Sequence, residues 1–260
     1  MLNVLRAIAR RFEWLRSACD YIAIRAGFIL IDGGGKLKIK RLKISQRSAY
    51  RPVYQPWATA EFLESYDKTS QRSLLTKNAK WNLVALARQT KSLPGELWEC
   101  GVYRGGTARM LVKVAKEFAE HSGTQKLLRL FDTFDGMPDS IKTNDIFEAG
   151  AFSDTSQNTV ADYVGDINST VFHKGFIPDS FEGLEGSLIS FAHVDVDIEA
   201  SVLECCNFIY PRLVKGGIIL FDDYGFAACP GARHSVDRFF YGKPEEPFVL
   251  PTGQAFVIKI

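Results

Sequence analysis

Four aspartates stand where two apolar runs end. His193-Val194-Asp195-Val196-Asp197 closes the run that begins at Leu188, and Asp222-Asp223 closes Ile218 to Phe221. If the two runs are strands of one parallel sheet, their carboxyl ends face a common crevice and gather up to four carboxylates there. Each close pair of like charges costs about 4 kcal/mol at ~4 Å in an effective dielectric near ~20. Protonation or a hard divalent cation relieves that repulsion, and all-oxygen ligation with open water positions suits Mg²⁺. Asp195 and Asp197 point to opposite sides if the strand continues through them, so at least one has a task other than holding metal. Helix caps and solvated loop charges explain one such aspartate readily and this pairing poorly.

A second constellation lies upstream. Glu99-Cys100-Gly101-Val102-Tyr103-Arg104-Gly105-Gly106-Thr107 follows an apolar run and opens a helical one, so its glycines let backbone approach a ligand at the carboxyl end of the sheet. The spacing is not that of a dinucleotide fingerprint, and no Lys-Ser/Thr pair of a phosphate loop follows. Asp132 ends the next apolar run, where a carboxylate can accept both hydroxyls of a ribose. The competing reading is glycines for packing and Asp132 as a helix cap. Tyr103 and Arg104 suit the crevice or the surface equally. His193 reads as a buried, hydrogen-bonded imidazole. His234, beside Arg233 at a helix start, suits a half-exposed helix position more than a base. Cys205-Cys206 fills core.

The elements that must position these residues alternate from residue 59 onward. Helical periodicity covers Thr59 to Tyr66 and Ser70 to Gln89, and Pro94-Gly95 stops it. Strands are expected at Leu97 to Cys100, Leu127 to Phe131, Val171 to Lys174, Leu188 to Val194 and Ile218 to Phe221, with helices at Thr107 to Glu120 and Ala200 to Tyr210. Pro247 to Leu250 and Ala255 to Ile260, around Pro251-Thr252-Gly253-Gln254, form a closing β-hairpin. The expected fold is therefore α/β, a Rossmann-like, doubly wound, mostly parallel seven-stranded sheet with a C-terminal hairpin. Asp139 to Val164, rich in Asp, Ser and Thr, reads as a lid over an acceptor or a plain surface excursion.

Read together and in order, these motifs resemble the macrocin O-methyltransferase family. The resemblance rests on Glu99 to Gly106, Phe131-Asp132-Thr133-Phe134-Asp135-Gly136-Met137-Pro138, Lys174-Gly175-Phe176, His193 to Asp197, Asp222-Asp223-Tyr224-Gly225 and Cys229-Pro230-Gly231-Ala232-Arg233, which runs into a helix to Phe240. It covers Ser70 to Ile260. It implies an O-methyltransferase (EC 2.1.1) that uses S-adenosylmethionine and Mg²⁺ and acts on a hydroxyl of a sugar or glycosylated small molecule. Carried over by position, Glu99, Gly101, Gly105, Gly106 and Thr107 would line the methionine part of the cofactor. Asp132 would hold its ribose and Gly175 and Phe176 its adenine. Asp195 would face both cofactor and metal, Asp222 and Asp223 would complete the metal ligands, and Asp197 would be the general base. After Asp197 the family often reads Leu-Tyr-Glu-Ser, where this chain has Ile198-Glu199-Ala200-Ser201, a departure that bears on the acceptor pocket.

Composition is consistent with that body and sets the N-terminus apart. The chain has 260 residues, 46% hydrophobic and 24% charged, with net charge +2. Residues 1–51 hold 12 Lys and Arg against Glu13, Asp20 and Asp32, which leaves the remainder acidic and unlike a nucleic-acid binder. Five cysteines without Cys-x-x-Cys spacing indicate a reducing cytoplasm. Residues 1–58 are expected to form a basic arm and 59–260 the catalytic domain. Leu2, Leu5, Ile8, Ala9, Phe12 and Leu15 recur at helical spacing, an amphipathic helix suited to packing on the body, to a homo-oligomer contact or to the inner membrane surface. Arginines interrupt every apolar stretch, so neither a span nor a signal is expected. Lys36 to Arg47 reads as a linker or edge strand. The rival reading is a non-catalytic protein on the same fold that binds through its basic arm.

Overall fold

The computed structural model describes residues 57, 59–123, 126–138, 149–165 and 168–260, and the backbone of 28–33 and 36–41. The amphipathic helix expected over Leu2 to Leu15 lies outside the described residues. The chain divides into two units, Met1–Glu64 and Ser65–Ile260. In the first, strands β1 (Phe28–Gly33) and β2 (Lys36–Arg41) pair antiparallel, with Gly33 opposite Lys36. The edge strand expected after Lys36 is present, and its partner is the apolar stretch around Ile29.

Helix α1 (Ala60–Thr69) spans the division at Glu64, and the second unit continues with a short 3-10 turn, Ser70–Arg72, and then α2 (Lys77–Gln89). Ser70 to Gln89 is therefore not one helix, contrary to the periodicity. Thr76 takes extended backbone and its hydroxyl accepts from the Ala79 amide, while Ser73 Oγ accepts from the Leu75 amide. Such local hydroxyl bonds compete with the helical ladder and restart it at Lys77.

The sheet follows as β3 (Glu96–Cys100), α3 (Gly106–Ser122), β4 (Leu128–Asp132), α4 (Gln157–Val164), β5 (Thr170–Lys174), β6 (Ile189–Val194), α5 (Glu199–Arg212), β7 (Leu213–Phe221), α6 (Pro230–Phe240), β8 (Phe248–Val249) and β9 (Ala255–Ile258). Spatial order is β5-β4-β3-β6-β7-β9-β8, parallel through β7 and antiparallel beyond. β6 is buried along its whole length, as helices on both faces require. The order in which successive strands are added reverses between β3 and β6, which run parallel, and this is the switch point where such sheets bind ligands. β7 starts earlier than its apolar run indicates, because Lys215-Gly216-Gly217 interrupts the pattern while Gly216 and Gly217 still bond to Lys259. α4 lies within the excursion read as a lid. Ser156 caps it by accepting from the Thr159 amide, so this part is ordered helix.

Among the described residues, no helix is long and apolar enough to cross a membrane. Two lysines sit in the core instead. Lys126, held by Thr90 O at 2.8 Å and Ser190 Oγ at 2.7 Å, and Lys80, held by Thr69 O at 3.2 Å, are each lowered by burial from 10.5 to about 8. A base whose folded pKa is depressed penalises the fold fully below about 8 and ceases to do so as pH rises towards 10.5. For Lys126 the penalty amounts to about 3 kcal/mol. Lys126→Met is expected to flatten the rise in stability between pH 8 and 10, measured by urea unfolding. Parallel curves for variant and wild type would contradict this.

Candidate active site

The last residues of four strands are stitched into one row. Gly101 N donates to Phe131 O at 2.9 Å, Asp195 N to Cys100 O at 2.8 Å and Asp222 N to Val194 O at 2.9 Å. Gly101 is required there: its φ is +88°, and a Cβ on it would lie 1.7 Å from the Asp195 carbonyl oxygen. Val194 pairs with Phe221, so the aspartates that follow each strand emerge side by side. One carboxylate oxygen from each of Asp195, Asp222 and Asp223 falls within 4.8 Å of the others.

This cluster is short of positive charge. Burial, then the charges of Asp222 and Asp223, raise Asp195 well above the carboxylate range. Burial, then Asp197 and Asp222, raise Asp223 likewise, against the opposing hydrogen bond from the Asp197 amide. Three carboxylates this close repel by several kcal/mol, and an oxygen-only donor set of this size fits a hard divalent cation. The sequence-derived metal ligands therefore form one group that suits the ion.

Behind it stands His193, fully buried. Its Nδ1 lies 3.1 Å from Glu99 Oε1 and its Nε2 3.7 Å from Asp222 Oδ1. Burial favours the neutral ring, but Asp222, Glu99 and Asp195 outweigh it and raise His193 well above its ordinary value. The buried imidazole expected from the sequence thus stands between two carboxylates that favour its charged form.

Asp197 does not alternate with Asp195, because β6 ends at Val194. Its φ of +60° is left-handed, an arrangement uncommon outside glycine, and turns it into the same pocket as Asp195. Its amide donates to Asp223 Oδ2 at 2.9 Å, and its Oδ1 accepts from Cys229 Sγ at 3.3 Å.

A pocket of about 390 Å³ opens beside these acids. Gly101, Thr107, Asp132, Gly175, Phe176, Asp195, Asp197, Asp222 and Asp223 line it. Asp132 is already engaged: Oδ2 accepts from the Val102 and Tyr103 amides at 2.7 and 2.9 Å, and Oδ1 from the Phe134 amide at 2.7 Å. It thereby ties the glycine turn to β4 and still faces the pocket with remaining acceptor capacity. Tyr103 lines the pocket with φ +50°, whereas Arg104 pairs outward with Asp154.

Glu99, Gly105 and Gly106 are not in the lining. Glu99 is wholly buried on His193. A Cβ on Gly105 would meet Val160 and Val164 of α4, and one on Gly106 would meet the Arg72 carbonyl, so these two glycines serve close packing. His234 is exposed and outside the pocket, while Cys205 and Cys206 are core.

Several walls were given no role in the sequence reading. Ser73 to Thr76, Met137, Phe152, Phe226 and Cys229 all line the pocket. The Thr76 cap was the one signal for the first stretch. Leu74, Phe176 and Phe226 remain 72%, 51% and 43% exposed, an apolar rim that favours an apolar ligand surface.

The macrocin-O-methyltransferase (TylF) family model matches residues 79–243. An 8-demethyl-8-(2,3-dimethoxy-alpha-L-rhamnosyl)-tetracenomycin-C 4'-O-methyltransferase of Streptomyces olivaceus is 27% identical over 161 residues, 58% of this chain and 60% of that protein. A mycinamicin III 3''-O-methyltransferase of Micromonospora griseorubida is 24% identical over 156 residues, 55% and 60% of the two chains. The chain thus spans about 60% of the length of these curated relatives. Among solved structures, the O-methyltransferase NovP superposes with a TM-score of 0.61 at 17% identity, over 72% of this chain and 82% of that one. The calicheamicin methyltransferase CalS11 does so with a TM-score of 0.60 at 17% identity, over 88% and 98%. At that identity the likeness is one of fold.

Proposed function

The chain belongs to the macrocin O-methyltransferase family, and from that premise we propose that it transfers a methyl group from S-adenosylmethionine to a sugar hydroxyl of a glycosylated small molecule, with Mg²⁺. The observation that carries this reading is the convergence of Asp195, Asp222 and Asp223 within 4.8 Å in the lining of a pocket that also holds Asp132 and Asp197. When bound, the cofactor supplies an electrophilic methyl, and the cation supplies the positive charge that acidifies and orients a hydroxyl.

Asp195, Asp222 and Asp223 would hold the cation. Asp132 would accept a ribose hydroxyl, and Gly101 with Thr107 would let the cofactor lie against the end of β3. Gly175 and Phe176 would flank the adenine. Asp197 takes the acceptor proton, with its carboxylate steadied by the Cys229 thiol and its amide by Asp223. The apolar rim excludes water from the transfer and covers the part of the acceptor beyond the sugar. Glu99 acts through His193 rather than on the cofactor. In this reading 59–260 is the catalytic domain.

The test is transfer of isotopically labelled methyl from S-adenosylmethionine to a panel of diol-bearing glycosides. Wild type is expected to label at least one, and Asp197→Asn to lower turnover by about 10²–10⁴ with cofactor affinity retained. Full turnover by Asp197→Asn would remove the base from this mechanism. Absence of labelling across the panel, with or without Mg²⁺, would count against catalysis.

A further inference from the structure

The family match ends at residue 243, yet a side chain beyond it reaches the acid cluster. Gln254 stands at the turn of the β8–β9 hairpin and is fully buried. Its Nε2 donates to Asp222 Oδ1 at 2.7 Å and lies 3.3 Å from Ala79 O. Its Oε1 accepts from Asn82 Nδ2 and from Thr252 Oγ1, each at 2.9 Å. The amide can sit only this way round. The reverse would set Oε1 against a carboxylate, which offers no proton while ionised.

The hairpin is itself fastened to the ligand pair. Phe221 pairs with Ala255, so Gln254 comes level with Asp222, and Gly225 N donates to Gly253 O at 2.7 Å just past Asp223. Asp222 Oδ1 thus meets an oriented amide proton, with His193 Nε2 on it at 3.7 Å.

We propose that Gln254 is a positioning residue of the metal site. Oriented by Asn82 and Thr252, it fixes Asp222 Oδ1 and so turns the other carboxylate oxygen towards Asp195 and Asp223. The inference rests on the reading of Asp222 as a metal ligand. Outer partners of this kind typically change metal affinity by about 10–100-fold when removed.

The test is Mn²⁺ binding to the full chain, followed by calorimetry and by loss of the free-ion paramagnetic resonance signal, with S-adenosylmethionine affinity measured in parallel. Gln254→Met keeps the volume and leaves Asn82 Nδ2 its bond to Thr252 Oγ1 at 3.1 Å. It is expected to weaken Mn²⁺ by about 10-fold or more while cofactor affinity stays within about twofold. Asn82→Ala, which leaves the amide one of its two donors, is expected to shift Mn²⁺ in the same direction by less.

Both variants binding Mn²⁺ as tightly as wild type would overturn the proposal. So would an equal loss of Mn²⁺ and cofactor affinity, which marks a merely structural role. If Gln254→Met does not fold, Asn82→Ala decides: weaker Mn²⁺ supports the proposal and unchanged Mn²⁺ overturns it. Wild type that takes up no Mn²⁺ would overturn the metal reading and this proposal with it.

Discussion

Asp223→Asn is expected to abolish divalent-cation binding and to lower turnover by more than about 10⁴-fold, while making the metal-free protein more stable. Asp223 is the one carboxylate shared by both groupings at the site, Asp195 with Asp222 and Asp197 with Cys229, and it also accepts the Asp197 amide. An asparagine oxygen can keep that amide bond but not the charge. The stability gain follows from the same electrostatics. Asp195 and Asp223 are raised by burial and by their acidic neighbours, so the fold prefers them protonated.

A carboxylate whose folded pKa is raised contributes stability below its unfolded value, near 3.8, and loses it as pH climbs towards the folded value. Metal-free wild type should therefore lose stability as pH rises from about 4, and Mg²⁺ should restore more at neutral pH than at pH 5. In Asp223→Asn both the slope and the Mg²⁺ effect should shrink. Melting curves in chelator and in Mg²⁺ at pH 5 and 7.5 check this. A variant that melts below wild type in chelator and still responds to Mg²⁺ would count against the charge argument.

Gly101→Ala should be the most damaging glycine-to-alanine substitution among the described residues, costing more than about 4 kcal/mol. Its methyl would sit 1.7 Å from the Asp195 carbonyl oxygen, which is backbone and cannot swing aside, and φ is +88°. Separating β3 from β6 would also displace Asp195 from Asp222. Gly123 is the natural control: φ is +71° but no atom lies within 4 Å of an added Cβ, so alanine there should cost only about 1 kcal/mol. Urea unfolding of the two variants compares them directly. Equal losses would mean that conformation, not the close approach of strands, decides the position.

The acids were legible because each ends an apolar run, and a parallel sheet brings strand ends together whatever their distance along the chain. Gly101 and Asp132 were legible for the same reason. Glu99, Gly105 and Gly106 belong to the same motif, yet the pocket receives none of them. Adjacency along a turn does not say which side a residue faces, and Gly105 and Gly106 answer to α4 and to Arg72. Ser73 to Thr76 was hidden by helical spacing that a threonine cap overrides. The N-terminal half of β7 was hidden by Lys215-Gly216-Gly217.

His193 and Gln254 mark the harder limit. Each is polar and fully buried, and its role depends on partners distant in sequence, Asp222 at 29 residues from His193 and Asn82 at 172 from Gln254. Periodicity reports faces, not partners. The role of Asp197 became sharper only with its left-handed backbone, which brings it to Asp223 and Cys229 rather than across the strand.

The most direct test of a cation-dependent methyltransferase site is calorimetric titration of S-adenosylmethionine and, separately, Mg²⁺ into wild type and Asp222→Asn. The expected result is cofactor binding by both proteins and Mg²⁺ binding by wild type alone. Well-folded wild type that binds neither would contradict the site assignment, and Mg²⁺ bound equally by Asp222→Asn would contradict the place given to the cation.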